Sequence, residues 1–493
     1  MKDEKKKPLI SDRDHVLKSR RDFLAQGLFA SAASLVLPFS ARAAETCDVS
    51  GVSALENPMI PVIVVDLAGG GNLAGANIMV GGANGQMDFL PDYRSLGLSA
   101  NEHPSLAGQV EDLTGNRTSP QGLIFHSRSS MLEGLKLGAS LATRQKTEGV
   151  ILCASSDDDT GNNPHNPMYW FHQAGARGAI TQLVGSQGGT SGGNSQAPAM
   201  SIDMSVAPLT INRPADVLNL VGMGARTRAF AQNRESFLLR ALDALSESRV
   251  KAISRRQMPD VVKELMLCKM TKTQALLQNF TEESLNVTND QAIIRAFASQ
   301  TVTPTTTRLS NDVRDRVSSV AKMVLDGFAA TGTITLGGYD YHDGTRTRGD
   351  TSDHQVGEVV GRILQIAAEK QKQVVVYVFT DGGVSTNGTL DPANGRLVWS
   401  GDSGQRSSSV MFAYDPIQKP SMRTANRQMG HYKVGGSVEN NASPMSNSVN
   451  NLAKAVVLNY LALHGLEGDL EKVVGDNPFS GSMNRHLFFN KIA

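Results

Sequence analysis

Five residues of this chain have the types and the placing expected of ligands in a hydrolytic metal centre: Asp66, Asp340, His342, Asp381 and His431. Pro61-Val-Ile-Val-Val-Asp66 is an apolar run that ends in an acid. Thr333-Ile-Thr-Leu-Gly-Gly338 leads into Tyr339-Asp340-Tyr341-His342, and Gln373-Val-Val-Val-Tyr-Val-Phe379 leads into Thr380-Asp381-Gly382-Gly383. His431 stands before Tyr432-Lys433-Val434-Gly435-Gly436. Carboxylates and imidazoles converging from separate strands suit a divalent metal: zinc, manganese, calcium or magnesium. Such an ion lowers the pKa of a bound water or hydroxyl nucleophile and neutralises charge on a phosphoryl or sulfuryl oxygen. Like charges packed together without a cation are costly. Asp340 and His342, two apart in an extended segment, face the same side. Asp350 and His354, four apart, share a face if helical, and stand in reserve. Taken singly, an aspartate after a strand is also an ordinary cap or turn residue.

The elements that must position these groups alternate. Short β-branched runs at Pro61–Asp66, Gly149–Cys153, Thr333–Gly338 and Gln373–Phe379 read as strands buried on both faces, the kind found in parallel sheets. Helical spacing is expected over Asn311–Ala330, Gly357–Lys370 and Asn450–His464, and a helical block at about 214–300 interrupts the alternation as an insertion. Residues 182–198, rich in Gly, Ser and Gln, read as loop. The expected architecture is an α/β three-layer sandwich around a mostly parallel central sheet. In such sheets ligands bind at the carboxyl ends of the strands.

Residues 1–43 read as an address. A basic segment, Ser19-Arg20-Arg21-Asp22-Phe23-Leu24, an uncharged run from Phe23 to Ser40, and Ala41-Arg42-Ala43 have the three parts of a secretory signal. The paired arginines resemble the twin-arginine export signal. The expectation is therefore passage through the twin-arginine translocase, cleavage after residue 43, a periplasmic location and no stable membrane anchor. Of 48 basic and 47 acidic residues, nine and five lie in this segment, which leaves 39 against 42 and a net charge of −3 for residues 44–493. That balance offers no electrostatic argument for nucleic acid. Three cysteines exclude a disulfide scaffold; Cys47, Cys153 and Cys268 allow one disulfide and one thiol in any pairing.

No nucleophile stands out. Ser127, Ser129, Ser130 and Thr160 are candidates, and N-capping is the ordinary role of such hydroxyls. Gly69-x-Gly71-x-x-Ala74 has the form of a dinucleotide fingerprint, but the glycine-rich segment after it is a poor helix. Asp157-Asp158-Asp159 offers oxygen ligands for calcium without the spacing of a known loop.

The chain resembles the exported bacterial family known as domain of unknown function 1501, which is related to the alkaline phosphatase and sulfatase superfamily. The resemblance rests on the arginine pair, on Val62-Ile-Val-Val-Asp-Leu-Ala-Gly-Gly-Gly-Asn-Leu-Ala-Gly75, on Ser155 to His165, on Gly338-Tyr339-Asp340-Tyr341-His342, and on His431 with Gly435-Gly436. It implies an alkaline-phosphatase-like fold and a metal-dependent phosphate- or sulfate-ester hydrolase acting on a small-molecule or glycan ester. Two departures stand out. Thr380-Asp381-Gly382-Gly383 replaces Ser-Glu-Phe-Gly, and Asn426-Arg427-Gln428-Met429 stands where an Asp-His-Gly is expected. The alternative is therefore a non-catalytic envelope binding or assembly protein on a degenerate hydrolase fold. Polysaccharide modification is a weaker option, since two tryptophans offer no aromatic platform.

Overall fold

Val62–Gly71 (β1) lies at the middle of the sheet because four successive residues from Val62 are apolar and β-branched up to one acid, with nothing polar to turn toward solvent. The computed structural model describes residues 59–156, 163–180, 182–220, 282–298 and 309–492, all within the compact unit Ala44–Ala493. Seven further strands join β1: Thr147–Leu152 (β2), Val184–Gly185 (β3), Leu209–Thr210 (β4), Thr331–Leu336 (β5), Val374–Ser385 (β6), Ser409–Tyr414 (β7) and Gln428–Met429 (β8). Their order across the sheet is β8-β2-β7-β6-β1-β5-β3-β4. Every neighbouring pair is parallel except the two made by β7, which runs antiparallel to β2 and β6. The expected mostly parallel α/β sheet is therefore present.

Helices cover both faces. Ser130–Gly138 (α1), Gln291–Ala298 (α3), Asn311–Leu325 (α4) and Thr347–Glu369 (α5) lie with Ile63, Val65 and Leu67 in one core. Met168–Gln173 (α2) and Val449–Leu463 (α6) lie with Val62, Val64, Tyr377 and Phe379 in the other. The odd and even residues of β1 thus divide between two layers, as the period of two requires. Each such side chain contributes roughly 1.5–3 kcal/mol on full burial. α1 and α5 approach closely through Gly134 and Gly138 on one and Gly357 and Gly361 on the other. A Cβ at Gly357 would overlap the Met131 carbonyl, and one at Gly361 would lie 2.7 Å from the Gly138 Cα.

Several boundaries differ from the expectation. β1 does not stop at Asp66; after a bulge between Leu67 and Gly70 it continues, pairing Gly70 and Gly71 with Gly382 and Gly383 of β6. Hydrogen bonding to a neighbour carries both strands through residues that composition marks as turn. α5 begins ten residues before Gly357, because its first turns are polar and give no apolar period. α4 ends at Leu325 rather than Ala330; Gly327, at φ 78, turns the chain out of the helix. Pro214–Asn219, Glu282–Leu285 and Gln291–Ala298 are helical, whereas residues 221–281 lie outside the described residues. So do residues 1–58, which hold the expected export signal and Cys47, and residues 157–162 and Cys268. Among the described residues no helix is long and apolar enough to cross a membrane. Cys153 is a free, buried thiol.

Candidate functional site: a buried carboxylate pair

Asp66 lies in register with Phe379 of β6 and Thr335 of β5. Asp381 is two residues past Phe379, so both acids face the α2/α6 layer at the carboxyl edge of adjacent parallel strands. Both are fully buried. Residues 191–196, from the Gly/Ser loop, cross over them. Asp66 Oδ2 accepts from the Asn194 N–H at 2.5 Å, the Ser195 N–H at 3.1 Å and the Thr335 hydroxyl at 3.3 Å. The crossing needs glycine at position 193, where a Cβ would sit 2.5 Å from that same oxygen. The exposed Asn194 donates its side-chain amide to Asp381 Oδ2 at 3.2 Å and so joins the two acids. Asn163 donates to the Asp381 carbonyl and carboxylate at 3.1 and 3.3 Å, and the Ser156 hydroxyl donates to the same carbonyl. His165 stacks on Phe379, centroid to centroid 5.0 Å.

Burial dominates the electrostatics of Asp66. Burial first, and the Asp381 charge after it, push the Asp66 carboxyl up to about 6 against the pull of the Ser195 and Asn194 amides. Burial holds His165 neutral, down to about 3. Three buried polar atoms here have no hydrogen-bond partner among the described residues: Asp66 Oδ1, Ser195 Oγ and His165 Nδ1. Orphaned buried atoms cost about 1–3 kcal/mol each, so such a group in one place suits an absent ligand. Two carboxylates with hydroxyl and amide oxygens form a hard-donor set, which fits one magnesium- or calcium-like cation better than zinc.

The other expected ligands do not join this pair. Asp340 and His342 do face one side and pair at 2.7 Å, but that side is solvent; their side chains are 49 % and 41 % exposed. The intervening Tyr339 and Tyr341 turn inward, donating to the Ser352 carbonyl at 2.8 Å and Asp353 Oδ1 at 2.6 Å. Asp340 still packs at the site's rim, because its backbone lies over Gly69; there a Cβ would come within 2.7 Å of the Asp340 nitrogen and φ is +98. His431 follows β8, three strands from β6, a separation of about 14 Å at ordinary strand spacing. Asp350 and His354 share α5 as expected, but Asp350 is bound by Arg346 and Arg396, each at 2.8 Å. Among the described residues no three His, Cys, Asp or Glu side chains gather closely enough to hold one ion. The five-ligand cluster is thus reduced to Asp66 and Asp381.

Of the hydroxyl candidates, Thr160 lies outside the described residues, and Ser127 and Ser129 have structural roles. Ser129 caps α1, accepting from the Leu132 N–H at 3.0 Å, and Ser127 donates to Gln109. No helix follows Gly69-x-Gly71-x-x-Ala74, which removes the nucleotide reading. Sequence reasoning passed over Asn194 and Ser195, because neutral side chains in loops carry no pattern; the cluster of glycines around Asn194 was the available signal, and Asn163 and His165 enter the sequence reading only within the Ser155 to His165 stretch. The chain matches no protein-family model and no curated protein.

Proposed function

We propose that this chain is an exported hydrolase of phosphoric or sulfuric esters that works with a divalent cation held by Asp66 and Asp381, on a fold of the alkaline-phosphatase kind. The observation that carries the reading is the buried carboxylate pair at the carboxyl edge of two parallel strands, with Asp66 Oδ1 unpartnered. When bound, the cation supplies charge neutralisation at the ester oxygens and a more acidic water. The chain's own residues do the rest. Asn163 and Asn194 orient Asp381, Thr335 orients Asp66, and the 191–196 segment excludes water until it moves. The exposed Asp340–His342 pair stands at the rim as a proton carrier, three residues along β1 from Asp66, or about 10 Å.

The test is metal analysis of protein purified after export, together with hydrolysis of p-nitrophenyl phosphate and p-nitrophenyl sulfate. Stoichiometric metal, activity lost to chelation and restored by the ion, and loss of both in Asp381→Asn support the reading. Metal-free protein without turnover would overturn it. A second reading, a non-catalytic envelope binding or assembly protein, is favoured by the Asn163 and Asn194 amides that already satisfy Asp381. Asn194→Ala separates the two: uncovering the acids should raise cation uptake in a hydrolase and leave a binding protein metal-free.

A further inference from the structure

A cleft of about 530 Å³ opens at the far side of β2, lined by Gly430, Asn440, Ser443, Asn447, Arg485 and His486 among others. It is separate from the carboxylate pair, although two consecutive residues link them: Ser155 donates to Asn447 Oδ1 on the cleft wall at 3.3 Å, and Ser156 to the Asp381 carbonyl. Within it Ser443 Oγ lies 2.9 Å from His486 Nε2. On the other side of the ring, His486 Nδ1 lies 2.9 Å from the Ser482 carbonyl oxygen. A carbonyl only accepts, so Nδ1 carries the proton and Nε2 presents its lone pair to the serine hydroxyl. The order is hydroxyl, imidazole, fixed acceptor, which is the geometry of an activated nucleophile with a main-chain oxygen in place of the third side chain.

The imidazole is held firmly. Its ring packs on Phe479 at 4.8 Å, and its own carbonyl accepts from Asn459 Nδ2 at 2.8 Å. Burial keeps it below its ordinary pKa, hence neutral and able to take a proton. The competing explanation of Ser443 is a turn: its Oγ accepts from the Met445 N–H. That contact is long, 3.4 Å, and uses a lone pair, so the hydroxyl proton remains directed at His486. Pro444 follows the serine and has no N–H to give an oxyanion. Asn440, Asn441 and Asn447 on the cleft wall are the side-chain amides available instead.

We infer that Ser443 and His486 form a nucleophile–base pair that hydrolyses small carboxylic esters bearing an anionic group, with Arg485 as the anion's counter-charge. Ser443 Oγ attacks the ester carbonyl carbon while its proton passes to His486 Nε2. The carbonyl–alkoxy bond breaks, the alcohol leaves with that proton, and the acyl group stays on Ser443. A water then gives a proton to Nε2 and attacks the acyl carbon; the acid is released and the proton returns to Ser443 Oγ.

The test uses the full mature chain, with circular dichroism confirming that each variant is folded. A fluorophosphonate probe should add once, at Ser443 by peptide mass mapping. His486→Gln should slow labelling by at least about 100-fold. Mono-p-nitrophenyl succinate should be cleaved with chelator present and with Asp66→Asn in place, which keeps this site's outcome apart from that of the carboxylate pair. Arg485→Gln should raise KM for the succinate ester about tenfold or more relative to KM for p-nitrophenyl acetate. No adduct at Ser443 in the wild type, or an adduct whose rate ignores His486→Gln, would overturn the inference.

Discussion

Replacing Asp66 by asparagine perturbs the carboxylate pair with little change of shape. The amide oxygen can take the place of Oδ2 and keep the Asn194, Ser195 and Thr335 donors, while Nδ2 falls where Oδ1 accepts nothing. In the wild type burial raises Asp66 from 3.8 to about 6, so the folded state binds the proton more tightly than the unfolded state. The stability this group contributes is therefore complete below pH 3.8 and lost as pH rises through about 6. A shift of about two units at 1.36 kcal/mol each makes the loss about 3 kcal/mol, an order-of-magnitude figure. Asparagine does not titrate. In chelated buffer the difference in unfolding free energy, variant minus wild type, should move by about 3 kcal/mol in the variant's favour between about pH 4 and about pH 8. Urea unfolding of both proteins in parallel measures it, and the difference cancels every group they share. Adding magnesium or calcium should reverse the trend, stabilising the wild type alone by RT ln(1 + [L]/Kd). A difference that stays flat with pH in chelated protein would refute the raised pKa, and a wild type indifferent to divalent ions would refute the cation site.

Four further outcomes follow from particular contacts. Cys153, buried and with its thiol pushed well up, should resist maleimide in the native protein and react fully in urea, read by intact mass. Gly357→Ala should cost about 3 kcal/mol or more through overlap with the Met131 carbonyl, whereas Gly468→Ala, with open space around it, should be near neutral by thermal melting. Arg346, buried, bonded to Asp350 at 2.8 Å and stacked 4.7 Å over Trp399, should cost about 3–5 kcal/mol as Arg346→Met. Changing Arg20 and Arg21 to lysine together should block export and leave the precursor uncleaved, seen by fractionation and N-terminal mass.

The strands were legible because β1, β5 and β6 are continuous β-branched runs that only burial on two faces explains. The antiparallel β7 was not, since Ser409–Tyr414 has an apolar composition like that of the parallel strands and direction is set by connections. The start of α5 was hidden because Arg346, Asp350 and Asp353 belong to a polar network rather than an apolar stripe. The close approach of α1 and α5 was written as two glycine pairs four residues apart, but a glycine reads as breaker or as contact only when its neighbour is known. Asp66 and Asp381 were recoverable because each follows an apolar run on a face set by parity. His431 was misplaced because sheet order decides proximity, and order is a property of the whole chain.

The segment Tyr339–His342 makes the same point at the scale of four residues. An alternating stretch has two faces, and the pair Asp340 and His342 reads as chemistry whichever face it takes. What decides is the larger demand. Two tyrosine rings bury far more apolar area than a carboxylate and an imidazole, and their hydroxyls find fixed partners in Ser352 and Asp353. Turning the segment over would bury an ion pair and expose both rings, a loss on each count. The tyrosines therefore set the parity and hold the loop across Gly69, and Asp340 with His342 is displayed as a consequence. Residues that look like ligands in such a motif are turned to solvent, while Asp66 and Asp381 are carried by strands whose own burial fixes them in place.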